Sequence, residues 1–551
     1  MTATSPLVLG PLLRFVGEHD ASVWVETAAP ARVTVAADGR AWHASSFVVE
    51  GHHYALVLLD DLEPGRTYDY TVSVDDELVW PPAGSDLPSS SIATLDHTRA
   101  TLLAFGSCRT SVPHDAEHHA SHGVDALRTF ALSLAKGESP RPDVLALLGD
   151  QVYADETSPQ MRDFIASRRS LDEPPGEEIK DYAEYAHLYE LAWSDPAIRW
   201  VLSVVPSAMI FDDHDIRDDW NTSWAWHEEI NQTPWWHERL VAGLTSYWVH
   251  QHIGNLAPEE LARDEIWRRL EGAAPGEVDL TGPLRALAEQ VDRHPERYRW
   301  SYTRGLGGSR LVMLDSRAAR VLEPERRAML DDDELAWLGE QLTGDLDHLF
   351  IGTSLPFLLP PGLHDAEAIS EALAGPGRSR PVRRATEVVR QAVDLEHWGA
   401  FSSGFVEVFE LVMSVARGER GRPPATITFL SGDVHHSYVA EVTDGAAHGA
   451  RSSIVQAVCS PIRNPMPRGI RMLVSQSAKG LVRPMRWLAA RTKGVPPLRY
   501  PWQLTQGPWF DNNLAVAEVH DGHLTLRWVT GDVVDGDDDR PRLRVVSEVT
   551  V

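Results

Sequence analysis

Four short segments of this 551-residue chain carry side chains able to bind a metal ion, and each follows an apolar run. TLLAF leads into GSCRT (106–110), VLALL into GDQVYAD (149–155), SAMIF into DDHD (212–215) and TITFL into SGDVHHSY (431–438). Such runs read as strands buried in a packed sheet, and open α/β sheets place their ligand sites just beyond strand ends. Convergence of the four ends gathers Cys108, Asp150, Tyr153, Asp213, His214, Asp433 and His435, with His436 as a further candidate. Taken singly, Cys108 reads equally well as a small core residue, Asp150 and Asp433 as turn or cap residues, and His435 as a hydrogen-bonded structural histidine. Taken together, several carboxylates leaving the core cost several kcal/mol each unless a cation neutralises them. FDDHDIRDDWN (211–221), with five Asp and one His, makes that demand most strongly. The chemistry implied is a metal centre.

Composition narrows the partners. Lys+Arg number 51 against 80 Asp+Glu, and a formal net charge of −29 excludes broad affinity for nucleic-acid phosphates. A phosphorylated small molecule remains compatible, because a metal reverses the local field. Two cysteines, Cys108 and Cys459, do not make a disulfide framework. MTATSPLVLGPLLRF lacks a basic n-region and twin arginines, and no apolar run reaches the roughly 18 residues of a membrane span. The expectation is a soluble, cytoplasmic chain.

Between Asp444 and Asp511 no acidic residue occurs, while Arg451, Arg463, Arg468, Arg471, Lys479, Arg483, Arg486, Arg491, Lys493 and Arg499 do. An amphipathic period there suggests peripheral membrane contact through 467–493, or else pairing with the acidic helical region.

Alternation and turn-formers over residues 1–95 predict a small β-sandwich, whose LEPGRTYDYTV corner resembles fibronectin type III modules. Residues 96–535 alternate buried runs with helical stretches and predict an α/β catalytic domain. Within it 156–300 reads as a helical, Trp-rich insertion, and 536–551 as a terminal strand or tail. Trp220, Trp224, Trp226, Trp235 and Trp236 either wall a substrate pocket or pack the insertion onto the core. His114, His118, His119 and His122 read as a solvated loop rather than a zinc site, since no Cys accompanies them.

The series GSC, GDQVYAD, DDHD and SGDVHHSY resembles the alkaline phosphatase D (PhoD-like) branch of the calcineurin-like metallophosphoesterases, over about residues 98–530. The resemblance implies a two-sheet αββα core of α+β type with a bimetallic site between the sheets. It implies ferric iron held by Cys108, Tyr153 and Asp150; thiolate and phenolate suit iron better than magnesium or calcium. Asp150 would bridge to a second divalent metal, calcium first, with magnesium, manganese and zinc as alternatives, and with Asp213 and Asp433 supplying oxygen. His435 matches the distal histidine of the last motif, and His214 the histidine facing the leaving group. Two departures stand out: DDHD with Asp218, and then Asn221, where DDHE and an earlier Asn are expected; and no twin-arginine signal. The implied activity is metal-dependent hydrolysis of a phosphate monoester or diester, with His214 as general acid and Arg109 or, secondarily, Arg317 as phosphate clamp. The alternatives are a phosphodiesterase or phospholipase acting on lipid or nucleotide diesters, and a non-catalytic, metal-stabilised phosphate-binding protein.

Overall fold

Nine strands between Leu7 and Ala93 form two facing sheets. Leu7–Val16, Ala21–Thr27, Phe47–Val49 and His52–Leu59 make one; Arg32–Ala37, Arg40–Ser45, Thr67–Val74, Glu77–Trp80 and Ser91–Ala93 make the other. Alternate side chains, among them Leu13, Val23, Val35, Val57 and Val72, fill the space between them. The structure, a computed structural model, describes residues 5–323, 326–375, 377–392, 395–478, 480, 482–520 and 522–551. The sandwich is fixed to the rest of the chain by Arg14. This guanidinium is buried and donates to the carbonyls of His250 (2.7 Å) and Gln251 (2.6 Å) and to Asn255 Oδ1 (3.1 Å).

Beyond residue 100 two larger sheets lie face to face. The first has six strands: β1 (Thr101–Gly106), β2 (Val144–Leu148), β3 (Ser207–Ile210), and three later ones. The second begins with β4 (Tyr302–Leu306), β5 (Ser309–Leu314), β6 (His348–Thr353), β7 (Thr426–Ser431), β8 (Ser437–Val442), β9 (Ser453–Val458) and β10 (Trp502–Trp509). The chain then returns to the first sheet through β11 (Leu514–His520), β12 (His523–Asp532) and β13 (Arg542–Thr550). The orders are β3-β2-β1-β11-β12-β13 and β4-β5-β6-β7-β9-β8-β10. Strands β1 to β3 run parallel to one another, as do β5, β6, β7 and β9.

The two-residue period of a strand explains the layering. In β5, Leu311 and Met313 join the apolar layer between the sheets, while Val312 and Leu314 face helices on the outer side. Helix Ser402–Arg417 covers that outer side with Phe405, Val408, Phe409 and Val412. Together with the preceding turn it is long and apolar enough by composition to cross a membrane, yet most of it is buried inside the protein. Helix Ala126–Ala135 covers the outer face of the first sheet, and helix Pro196–Val204 packs against that helix and against the sandwich strand Leu7–Val16. The result is the expected αββα arrangement.

In the basic stretch, helices Arg468–Ala478 and Val482–Ala489 pack on helix Pro361–Ala374 rather than on the Trp-rich region, with Arg486 paired to Asp365 at 2.7 Å. Arg463 is fully buried and donates to backbone carbonyls of Val112 and Pro113. Lys479 and the side chain of Arg468 lie outside the described residues.

Candidate metal centre

The ends of β1, β2, β3 and β7 meet at one point between the two sheets. Gly149 and Gly432 permit the approach. A Cβ on Gly149, whose φ is +106°, would lie 2.6 Å from the Asp212 Cβ, and one on Gly432 would lie 1.8 Å from Ser107 Oγ. Four side-chain-bearing residues just beyond the strands adopt the left-handed region: Cys108 (φ 58°), Asp150 (50°), Asp433 (64°) and His435 (49°). Each such conformation costs on the order of 1–3 kcal/mol and persists only where the surroundings impose it, as functional sites do.

Three groups of ligand atoms result, each with its members within 4.8 Å of one another: Cys108, Asp150 and His435; Asp150, Asp213 and His214; Asp212, Asp213 and Asp433. Cys108 Sγ donates to Asp150 Oδ2 at 3.3 Å, and the Tyr153 hydroxyl reaches the same oxygen at 3.5 Å. Asp150 Oδ1 is buried without a hydrogen-bond partner, as are Asp212 Oδ2 and Asp213 Oδ1. Burial, then the neighbouring Asp150, pushes the Cys108 thiol well up; burial, then Cys108, does the same to the Tyr153 phenol. Burial also raises Asp150 well above the carboxylate range and Asp213 to about 7, and lowers His435 to about 4. Groups this averse to charge, packed around orphaned oxygens, fit a cation that would stabilise their deprotonated forms.

The five aspartates of the opening segment divide their roles. Asp215 faces inward and accepts the backbone N–H of Asp150 (3.1 Å) and Asp212 (2.9 Å), fixing one strand end against the other. Asp213 belongs to the candidate ligands, and its Oδ2 accepts the Asp219 N–H at 3.1 Å. Asp212 is paired with Arg317. Asp218 donates its backbone N–H to Asp155 at 2.6 Å. His214 stands over the Tyr153 ring, centroids 4.8 Å apart, with Nδ1 held 2.9 Å from Asp155 Oδ1. Burial opposes its charge, but Asp155 prevails and raises its pKa well above the usual histidine value; Asp155, despite burial, falls to about 2.

Part of the cation demanded by this segment is supplied by the protein itself. Arg317, fully buried just past β5, pairs with Asp212, approaches Asp213 Oδ1 (3.2 Å) and Asp433 Oδ1 (3.7 Å), and donates to Glu396 Oε2 at 2.6 Å. Its guanidinium is committed to carboxylates, so the expected phosphate-clamp role does not fit it. Arg109 is likewise corrected: its Nε pairs with Asp125 at 2.8 Å and Nη1 donates to the Ala192 carbonyl at 2.7 Å, away from the ligand groups. His436 turns into the fold, with Nδ1 2.6 Å from the Val434 carbonyl.

Sequence reasoning missed His397, Glu396 and Glu367. His397 Nε2 lies 3.1 Å from Asp433 Oδ2, and its Nδ1 2.7 Å from Glu367 Oε1. Burial raises the Asp433 pKa, but His397 and Arg317 outweigh it and hold this carboxyl below its ordinary value. The described residues before LEHW (395–398) form helix Arg380–Ala392 rather than a strand, so the strand-end signal that found the other residues is missing there. Of the tryptophans, Trp220, Trp226 and Trp236 are buried in aromatic packing and Trp224 is exposed, which favours the packing role. His118, His119 and His122 make separate contacts with Asp115, Asp538 and Ser121 and form no ligand group among the described residues.

Comparison with known proteins bears on the family and the fold. The PhoD-like phosphatase family model matches residues 128–494, and a domain of unknown function, DUF7800, matches 4–92. No curated protein matches the chain. A solved structure described as "Structure of PhoD" aligns with a TM-score of 0.59 at 15% identity, covering 100% of this chain and 91% of that one. Purple acid phosphatase PPD1 from yellow lupin (Lupinus luteus) seeds aligns with a TM-score of 0.49 at 10% identity, covering 98% of this chain and 73% of that one. The family model spans more than half of the sequence, with the strand-end residues of β2, β3 and β7 inside the match: the chain belongs to the PhoD-like phosphatases and is a metal-dependent phosphoric ester hydrolase.

Proposed function

We propose that the chain hydrolyses phosphate monoesters or diesters by in-line attack of water at a bimetallic centre. Cys108, Asp150, Tyr153 and His435 would hold ferric iron, and Asp150, Asp213 and Asp433 a second divalent ion, calcium. When bound, the two metals supply Lewis acidity to the phosphoryl oxygens and acidify the attacking water. The protein's own groups do the rest. Asp155 orients His214 and holds its proton for the leaving alkoxide as the ester P–O bond breaks, a role worth on the order of 10²–10⁴-fold in rate. Glu367 fixes the His397 ring, which in turn fixes Asp433. Arg317 takes part of the negative charge of the carboxylates, limiting the net charge the site presents to a phosphate.

The observation that carries the reading is that Asp150 belongs to two of the ligand groups and keeps a buried oxygen without a partner. Elemental analysis of the unsupplemented protein tests it: iron near one per chain plus a divalent ion is expected, with both reduced in Asp150→Asn. Absence of iron, with none retained on adding it back, sinks the assignment. Turnover of an aryl phosphate against a bis-aryl phosphate separates monoester from diester preference.

A second reading concerns where a diester would be met. Ile470, Met472, Trp487 and Leu488 are exposed, Met472 by 71%, on the basic helices. Apolar side chains among arginines complement an anionic lipid surface, which an otherwise acidic protein would repel. Sedimentation with anionic vesicles, but not zwitterionic ones, is expected; sedimentation with neither, or equally with both, overturns it.

A further inference from the structure

Next to Thr222, whose hydroxyl donates to Glu396, Ser223 and Trp224 line a cavity of about 980 Å³. It is lined by Arg327, Arg380, Arg383, Arg384 and Arg390, five arginines in a protein of net charge −29. Among the described residues three carboxylates, Glu371, Glu387 and Glu407, share the walls, fewer than the arginines. Glu387 accepts from Arg390 Nη1 at 3.2 Å and from the Ser223 hydroxyl; Glu371 accepts the Ser402 N–H at 2.9 Å.

Arg390 is the decisive side chain. It is 2% exposed, yet its Nε and Nη2 have no hydrogen-bond partner among the described residues, and neither has Arg383 Nε. Nε and Nη2 form one edge of the guanidinium plane, the fork that grips two oxygens of a carboxylate or phosphate at once. Leaving such charged donors buried and unpaired carries a desolvation cost that an oxyanion would remove. Burial first, and then the neighbouring Arg390, push Arg327 down to about 9. Helix Arg380–Ala392 supplies four of the five arginines, from successive turns of one face.

We infer that this cavity is an oxyanion-binding site, distinct from the metal centre, with the free edge of Arg390 as its principal clamp. It takes a phosphate or carboxylate group, either a free anion or the distal acidic group of a substrate whose phosphate sits at the metals.

Calorimetric titration with inorganic phosphate tests this. Two phosphates per chain are expected for the purified protein; Asp150→Asn keeps the arginine site, and Arg390→Gln weakens the retained phosphate at least tenfold. Arg383→Gln, at a less deeply buried position and safer for folding, weakens it severalfold. The source is read with 3-phosphonopropionate. One molecule per chain, bound at least tenfold more tightly than phosphate and weakened by either Asp150→Asn or Arg390→Gln, means a substrate bridging both sites. Two per chain, with affinities like phosphate, means a separate anion site. Phosphate binding to Asp150→Asn that neither Arg390→Gln nor Arg383→Gln changes overturns the proposal, as does no binding to Asp150→Asn at all. Loss of the metal-site phosphate alone would count against the bimetallic reading and leave this one standing.

Discussion

Nη2 of Arg317 lies 3.2 Å from Oδ1 of Asp213, inside the cluster that also holds Asp212, Asp433 and Glu396. A fixed cation therefore shares the carboxylates on the DDHD side with any second metal. Replacing one partner of a buried ion pair leaves uncompensated charge, typically about 3–5 kcal/mol. Arg317→Ala should lower stability by that order in urea denaturation, and added divalent cation should restore part of it. Unchanged stability without metal would show that the carboxylates do not depend on Arg317.

Cys108 and Tyr153 approach the same Asp150 oxygen. Cys108→Ser replaces a soft ligand by a poor one at nearly constant volume, so the chain should fold while retained iron falls at least tenfold by elemental analysis. Full iron content in Cys108→Ser would remove the thiolate from the ligand set.

Asp155 holds His214 through Nδ1. His214→Gln should slow esters of poorly acidic alcohols by about 10²–10⁴ and affect an ester of an acidic phenol far less, because only the former needs a proton on its leaving group. Asp155→Asn should show the same selectivity more weakly. An equal loss on both substrates would assign His214 to binding instead.

Gly432 meets Ser107 across the two sheets with no room for a methyl group. Gly432→Ala must push β1 and β7 apart where Cys108 and Asp433 follow, so metal content and activity should drop together. Ser107→Gly in the same chain removes the clashing hydroxyl and should recover part of both. Failure of the double variant to recover either would place the defect elsewhere.

Three histidines far from the candidate ligands are buried and neutral: burial depresses His250, His252 and His364 to about 3. The unfolded chain takes up their protons near pH 6.5, whereas the folded one refuses them until about 3. Their contribution is therefore fully present above about pH 6.5 and is lost as the pH falls toward 3. The slope is at most about 1.4 kcal/mol per pH unit for each histidine. Urea midpoints measured from pH 7 to 4 should fall, and less so in His364→Gln if that variant folds. A flat profile would contradict the burial.

The Arg109 and Arg317 corrections share one cause. Sequence places an arginine beside a motif, but the direction of a long side chain depends on which acids the fold brings near it. Asp125 lies 16 residues from Arg109 and Glu396 lies 79 from Arg317, and neither pairing leaves a trace in local pattern.

The sequence by itself determined the strands and the chemistry at their ends. Runs such as VLALL and TITFL have few alternatives to burial, and a polar residue placed right after one must emerge at the sheet's edge. Cys108, Asp150, Asp213, His214, Asp433 and His435 could be named as candidates for that reason, and the α/β alternation was legible too. The tertiary structure alone decided which groups share one charge. It brought His397 and Glu396 in from a segment that follows a helix, set Arg317 among four carboxylates, and left the Nε and Nη2 edge of Arg390 without a hydrogen-bond partner among the described residues. Those outcomes depend on contacts between residues far apart in the chain, where the strength of each interaction follows burial and distance rather than spacing.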